Sequence, residues 1–192
     1  MSKPRTVWID GVGGYAIYDQ SEIIFGGRGC GSDAVEIVSE LPKRAFSIRY
    51  VGDEYVVQSS FTATLEVNSA SISGACILSS GDRIKVGDSV TLLFSKPSPL
   101  SDTATVTITS RHRWPESIDG LILIRGLCIL GPNANAHVNC RSWSQTMTLF
   151  RQQELWQYRL QSKDTVHRSG LPSRSIVIGE RILGEDFSLT II

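Results

Sequence analysis

The sequence predicts an all-β fold arranged as two tandem units. Three observations carry this reading: one stretch is made twice, short alternating runs recur at close intervals, and no strand–helix–strand alternation is visible. The duplicated stretch is residues 81–94, GDRIKVGDSVTLLF, which returns as residues 179–192, GERILGEDFSLTII. With one residue deleted, Gly81 meets Gly179, Asp82 meets Glu180, Arg83 meets Arg181 and Ile84 meets Ile182. Beyond the gap, Gly87 meets Gly184 and Asp88 meets Glu185. Each copy reads as a Gly-acid turn, a short strand, a second Gly-acid turn and an alternating strand. Glycine tolerates the positive φ of tight turns, and an acidic neighbour can bond the local backbone. The copies lie too far apart for a solenoid, whose period is roughly 20–50 residues. The spacing suits a small domain, so the boundary falls between 1–97 and 98–192.

Composition narrows the class. Apolar residues make up 41% of the chain, ordinary for a globular protein and too many for disorder. Lys plus Arg equals Asp plus Glu at 19 each, so neither nucleic acid nor a membrane surface is the expected partner of the whole chain. The start, MSKPRTVWID, lacks a signal-peptide core, and no apolar run reaches the roughly 18 residues of a membrane span. Cys30, Cys76, Cys128 and Cys140 form no CxxC pair, which reads as a cytoplasmic protein with reduced thiols, most of them buried small residues.

The elements follow in order. Residues 7–10 are a short apolar run closed by Ile9-Asp10-Gly11. Residues 15–18 and 22–25 are two strands joined at 19–21, and 26–33, GGRGCGSD, is a Gly-rich loop. Its Gly29-Cys30-Gly31 fragment lacks the third glycine and the following helix of a dinucleotide loop. Residues 34–41 fit a strand or a single helical turn, stopped by Pro42. Phe46, Ile48 and Tyr50 alternate with polar residues, Gly52-Asp53 turns, and 55–58 returns, a hairpin by pattern and turn chemistry. Residues 65–68 form another short strand, and 72–78 leads into the first duplicated stretch.

Residues 95–102, SKPSPLSD, carry two prolines and no apolar periodicity, the expected boundary. Residues 103–109 alternate Thr with Ala, Val and Ile. Ile118-Asp119-Gly120 repeats the earlier Ile-Asp-Gly, and 121–124 and 127–130 repeat the strand pair. Residues 146–161, TMTLFRQQELWQYRLQ, have helix-favouring composition. Yet Trp156, Tyr158 and Leu160 alternate strictly with Gln157, Arg159 and Gln161, so a hairpin is expected there. Residues 166–174 read as a loop. Short strands with turn signals every roughly 8–12 residues are the sandwich or barrel pattern.

The order of features in residues 15–94 resembles the forkhead-associated (FHA) domain family. A strand runs into Gly27-Arg28; an acid and apolar run, 33–37, follows; then come Val38-Ser39, a basic stretch ending in Arg44-Ala45, a hairpin, Val67-Asn68, and the closing GDRIKVG. The resemblance implies two tandem FHA-like β-sandwiches, a phosphothreonine-peptide site at one loop end, and a signalling role through protein–protein interaction. Carried over by position, Arg28 holds phosphate, with a guanidinium fork suited to its oxygens. Ser39 takes the family's serine position, Arg44 stands where the family has histidine, Lys43 adds charge, and Asn68 matches the peptide-contacting asparagine. The family's Asn-Gly-Thr is replaced by Ala63-Thr64-Leu65. In the second copy Gly131-Pro132 replaces Gly-Arg, leaving Ser142 without a pocket pattern.

Catalytic chemistry finds no convergent set of residues. His112, His137 and His167 sit in turn-like contexts and read as surface residues. Cys128, His137 and Cys140 match no common zinc spacing, so no metal or cofactor is expected. Arg111-His112-Arg113-Trp114 reads as a solvated loop with Trp114 packed beneath it. The expected function is a non-enzymatic interaction module with a protein partner, phosphorylated or not. The alternative is a structural or assembly protein whose FHA-like folds have lost phosphopeptide binding.

Overall fold

A computed structural model describes residues 4–60, 62–153, 155–162 and 172–192. No helix occurs among them, and the chain is all-β. The first sequence copy supplies β1 (Arg5–Ile9), β2 (Gly13–Tyr18), β3 (Glu22–Gly26), β4 (Val35–Glu36), β5 (Phe46–Val51), β6 (Glu54–Ser59), β7 (Leu65–Val67), β8 (Ala70–Ser71), β9 (Ala75–Leu78), β10 (Arg83–Val86) and β11 (Val90–Ser95). The second supplies β12 (Ala104–Ile108), β13 (Gly120–Leu123), β14 (Leu127–Gly131), β15 (Val138–Asn139), β16 (Gln145–Gln152), β17 (Leu155–Ser162), β18 (Arg174–Ser175), β19 (Arg181–Leu183) and β20 (Ser188–Ile191).

The opening turns of the duplicated stretches take the same conformation, whereas the second turns differ: Gly87 has φ 58° and Gly184 lies outside the positive-φ region. Gly81 has φ 96° and Gly179 φ 88°, values that a side chain would strain. Gly81 N donates to Phe94 O at 2.9 Å and Gly179 N to Ile191 O at 2.8 Å, so each opening glycine is tied to its own closing strand. Gly52 and Asp53, at φ 57° and 67°, make the two-residue turn joining β5 to β6. Residues 146–161 do form a hairpin: β16 pairs with β17 from Gln145↔Ser162 to Gln152↔Leu155. Alternation with one buried face outweighs the helix propensity of the Gln, Glu and Leu residues. Residues 34–41 contain only the two-residue β4. Of the loop expected at 166–174, residues 166–171 and with them His167 lie outside the described residues, while Arg174 opens β18.

The sheets are not partitioned as the sequence copies are. One ten-stranded sheet runs β19-β20-β1-β2-β13-β12-β11-β10-β7-β8, and two five-stranded sheets run β4-β3-β5-β6-β9 and β15-β14-β16-β17-β18. The closing strand of the first copy, β11, pairs with β12 of the second, and the closing strand of the second, β20, pairs with β1 of the first. The N-terminal hairpin of each copy therefore completes the sheet of the other. β2 and β13, equivalent strands, lie side by side and parallel, with Ala16 beside Leu121 and Tyr18 beside Leu123.

Successive residues of a strand face opposite sides of its sheet. Ala16, Tyr18, Leu121 and Leu123 enter one core with Phe25, Phe46, Phe94 and Trp114. Ile17, Ile122 and Ile124 enter the other, with Val7, Trp143, Met147 and Phe187. The two five-stranded sheets thus cover opposite faces of the shared sheet. β13 is buried at all four positions because it faces a core on each side, the uninterrupted apolar pattern of two-sided strands. The segment 95–102 joins the neighbouring strands β11 and β12. It is held inward by Tyr55, whose hydroxyl donates to Asp102 O at 2.8 Å and Leu123 O at 3.1 Å.

Candidate functional site

Five connections converge at one end of the first core, through the described residues 27–34, 37–45, 60 with 62–64, 87–89 and 109–119. Gly26 and Gly27 let them meet. A Cβ on Gly26 would sit 2.0 Å from Lys43 O, and one on Gly27 2.0 Å from Leu41 O, so the 41–43 backbone crosses where only hydrogen fits. Gly27 N donates to Pro42 O at 2.9 Å, and Arg28 N reaches Ser39 O at 3.4 Å. Arg28 is exposed, with no hydrogen bond or ion pair from its side chain among the described residues. Lys43 is exposed on the adjoining loop.

The other carried-over residues are engaged structurally. Ser39 is buried; its hydroxyl donates to Ile37 O at 3.2 Å and accepts from Leu41 N at 3.4 Å, closing its own turn. Arg44 is ion-paired with Asp33 in an exposed contact, a class of pair worth about 0–1 kcal/mol. The Gly29 amide is occupied by the Glu36 carboxylate at 3.1 Å. Asn68 lies elsewhere. With Ser69 it forms the β7–β8 turn, at φ 51° and 70°, and its side chain is spent on the 79–83 turn. Asn68 Nδ2 donates to Asp82 Oδ1 at 2.8 Å, and Asn68 Oδ1 accepts from Arg83 N at 3.0 Å. β7 runs away from the Arg28 end, because Leu65 faces Val86 and Val67 faces Ile84. The structure therefore places Arg28, Lys43 and Arg44 on two adjoining loops, buries Ser39 in the second of them, and sets Asn68 one strand length away.

Sequence reasoning missed the hydroxyls of the 60–64 loop. Ser60 Oγ donates to Ala45 O at 2.7 Å and Thr62 Oγ1 to Arg44 O at 3.2 Å, fixing the backbone that carries Arg44. The signal available was the Ser-Ser-x-Thr cluster after a predicted strand. Sequence reasoning also left the 109–119 loop without a place. Val38 N donates to Arg113 O at 3.0 Å, and Trp114 is 2% exposed, tilted against Phe25. Trp114 lies beneath the loop as expected, but in the first core.

One histidine expectation needs correction. His137 is not a surface residue but 6% exposed. Its Nδ1 accepts from Ile129 N at 2.8 Å, and burial pushes its pKa down to about 4. His112 is half-buried between Ser110 Oγ at 3.0 Å and Ser89 Oγ at 3.4 Å. Cys30, Cys128 and Cys140 are buried and Cys76 half-buried, all as free thiols. Burial, with Cys140 nearby, pushes the Cys128 thiol far up; burial takes Cys140 to about 12. Neither is suited to nucleophilic chemistry. No group of three potential metal ligands occurs among the described residues, and no helix there is long and apolar enough to cross a membrane.

No family model matches the chain, and no curated protein matches it. Among solved structures, the chain is similar to an FHA-domain structure, Rv0020c_FHA, at 25% identity and a TM-score of 0.31. That similarity covers 45% of this chain and 87% of the other.

Proposed function

We propose that the chain is a duplicated, non-enzymatic interaction module, two FHA-like copies at 1–97 and 98–192, whose first loop end binds a phosphothreonine-bearing protein segment. The observation that supports this best is Arg28: a guanidinium on a glycine-shaped loop, exposed, without a side-chain partner among the described residues, on the loop that adjoins Lys43's. A buried or already paired arginine would have its donors spent; this one has them free for phosphate oxygens. Lys43 adds a point charge, and Arg44 becomes available if an incoming phosphate outcompetes Asp33 for it. Asn68 has no part in this reading, because its amide serves the 79–83 turn. The free thiols suit a reducing compartment such as the cytoplasm.

Fluorescence anisotropy with a labelled degenerate phosphothreonine peptide pool tests the reading. Arg28→Ala is expected to weaken binding about tenfold or more, the loss of one charge-assisted contact. Equal affinity for the unphosphorylated pool contradicts phosphate recognition.

An assembly role is the second reading, favoured by the second copy. Pro132 replaces the loop arginine, and Val177 and Leu183 are exposed at 56% and 68%. Sedimentation velocity and a pull-down separate the two: a monomer with no captured partner counts against assembly.

A further inference from the structure

The two N-terminal hairpins are equivalent in the duplication, yet their connections differ. β1 and β2 are joined by the short link 10–12, whereas β12 and β13 are joined by 109–119. The extra residues include Arg111, His112, Arg113 and Trp114. Strand exchange decides where they land: β12 lies beside β11, so a loop belonging to the second sequence copy sits at the loop end of the first sandwich.

There it is fixed at three points. Trp114 anchors it in the first core, Val38 N donates to Arg113 O, and His112 lies between Ser110 and Ser89 of the β10–β11 turn. Residues 38–39 are hydrogen-bonded on one side to Arg113 O and on the other to Arg28 N, so the two arginines flank the same two-residue segment. Arg111 and Arg113 are exposed, and neither has a side-chain partner among the described residues. The counterpart link at the second sandwich carries Asp10, ion-paired with Arg181. The exchanged loop thus brings two arginines without side-chain partners among the described residues to the first loop end, where carboxylates including Asp33, Glu40 and Asp88 also stand, whereas the counterpart link brings a paired aspartate to the second.

We infer that Arg111 and Arg113, supplied in exchange by the second copy, form part of the phosphate-binding end of the first sandwich. They take the place of pocket residues its own loops lack. This rests on the phosphopeptide reading above. Ser39 is turned into its own loop and Asn68 is remote, so among the described residues Arg28 and Lys43 are the uncommitted carried-over donors there. The two added guanidinium groups give the site four cationic side chains from three connections, whose N–H donors suit phosphate oxygens.

The test uses the full chain and the same labelled phosphothreonine pool, with Arg28→Ala, the double variant Arg111→Ala/Arg113→Ala, and Arg83→Ala, an exposed arginine at the opposite end, as control. The double variant is expected to bind about fivefold or more weakly and to lose much of the salt dependence, with Arg83→Ala unchanged. Arg111→Lys/Arg113→Lys is expected to restore most of the salt dependence, separating charge from folding. Full affinity in the double variant, with Arg28→Ala impaired, overturns this inference and leaves the phosphopeptide reading standing. Full affinity in both, or no preference of the unmodified chain for the phosphorylated pool, overturns the reading and the inference together. Displacement of the peptide by a mixed-sequence oligonucleotide at equal concentration assigns this loop end to nucleic acid and overturns both.

Discussion

His137 shows how a single side chain ties stability to pH. Its Nδ1 accepts the Ile129 amide, so the neutral ring carries its proton on Nε2, and the charged form is disfavoured by burial. With a folded pKa near 4 against about 6.5 in the unfolded chain, the unfolded state binds more protons between those values. Stability is therefore intact above about pH 6.5 and falls as the pH drops toward 4, by up to about 3 kcal/mol. Urea unfolding at pH 7, 6 and 5 measures this; His137→Asn, which keeps an acceptor but does not titrate, is expected to flatten that slope. The thiols give a second check: Cys76 is expected to react with a thiol reagent well before Cys128 and Cys140, and simultaneous labelling contradicts the burial described. At this scale the sequence identified residue types better than roles. Arg28 entered through the FHA resemblance, by its place after Gly27, and the structure shows it exposed with no side-chain partner among the described residues. The role of Asn68 was not legible, because an asparagine after a strand serves a left-handed turn as well as a ligand, and only the pairing with Asp82 and Arg83 distinguishes the two.

Among the elements, β13 carries the most, since it separates two cores. Leu121 faces the first and Ile122 the second, both fully buried. Leu121→Ala is expected to cost about 2–5 kcal/mol. The loss should appear in probes of the first sandwich, such as Trp114 fluorescence, although Leu121 belongs to the second sequence copy. Unchanged unfolding midpoints in urea contradict the placement. Strand positions were legible from alternation and from turns such as Gly52-Asp53. Partner choice was not. β1 reads RTVWI and β12 reads ATVTI, with Thr-Val at matching places, and each could hydrogen-bond to either closing strand. What separates the alternatives is non-local: pairing β2 with β13 buries both faces of each, a gain that no window of a single strand reveals.

For the whole molecule, the duplication read from residues 81–94 and 179–192 reappears in the opening glycine turns and their ties to the closing strands. The two packed cores nevertheless draw on both copies, with β12 and β13 in the first and β1 in the second. The proposed site depends on that exchange, because the loop carrying Arg111 and Arg113 reaches the Arg28 end only if β12 lies beside β11. The most direct measurement is folding of the separated halves. Residues 1–97 and 98–192, purified apart, are each expected to show no cooperative thermal transition by circular dichroism. Mixed at equal concentration, they are expected to regain the sheet signal and transition of the intact chain as a 1:1 complex. A cooperative transition in 1–97 alone, with no response to 98–192, would contradict the exchanged architecture and everything built on it.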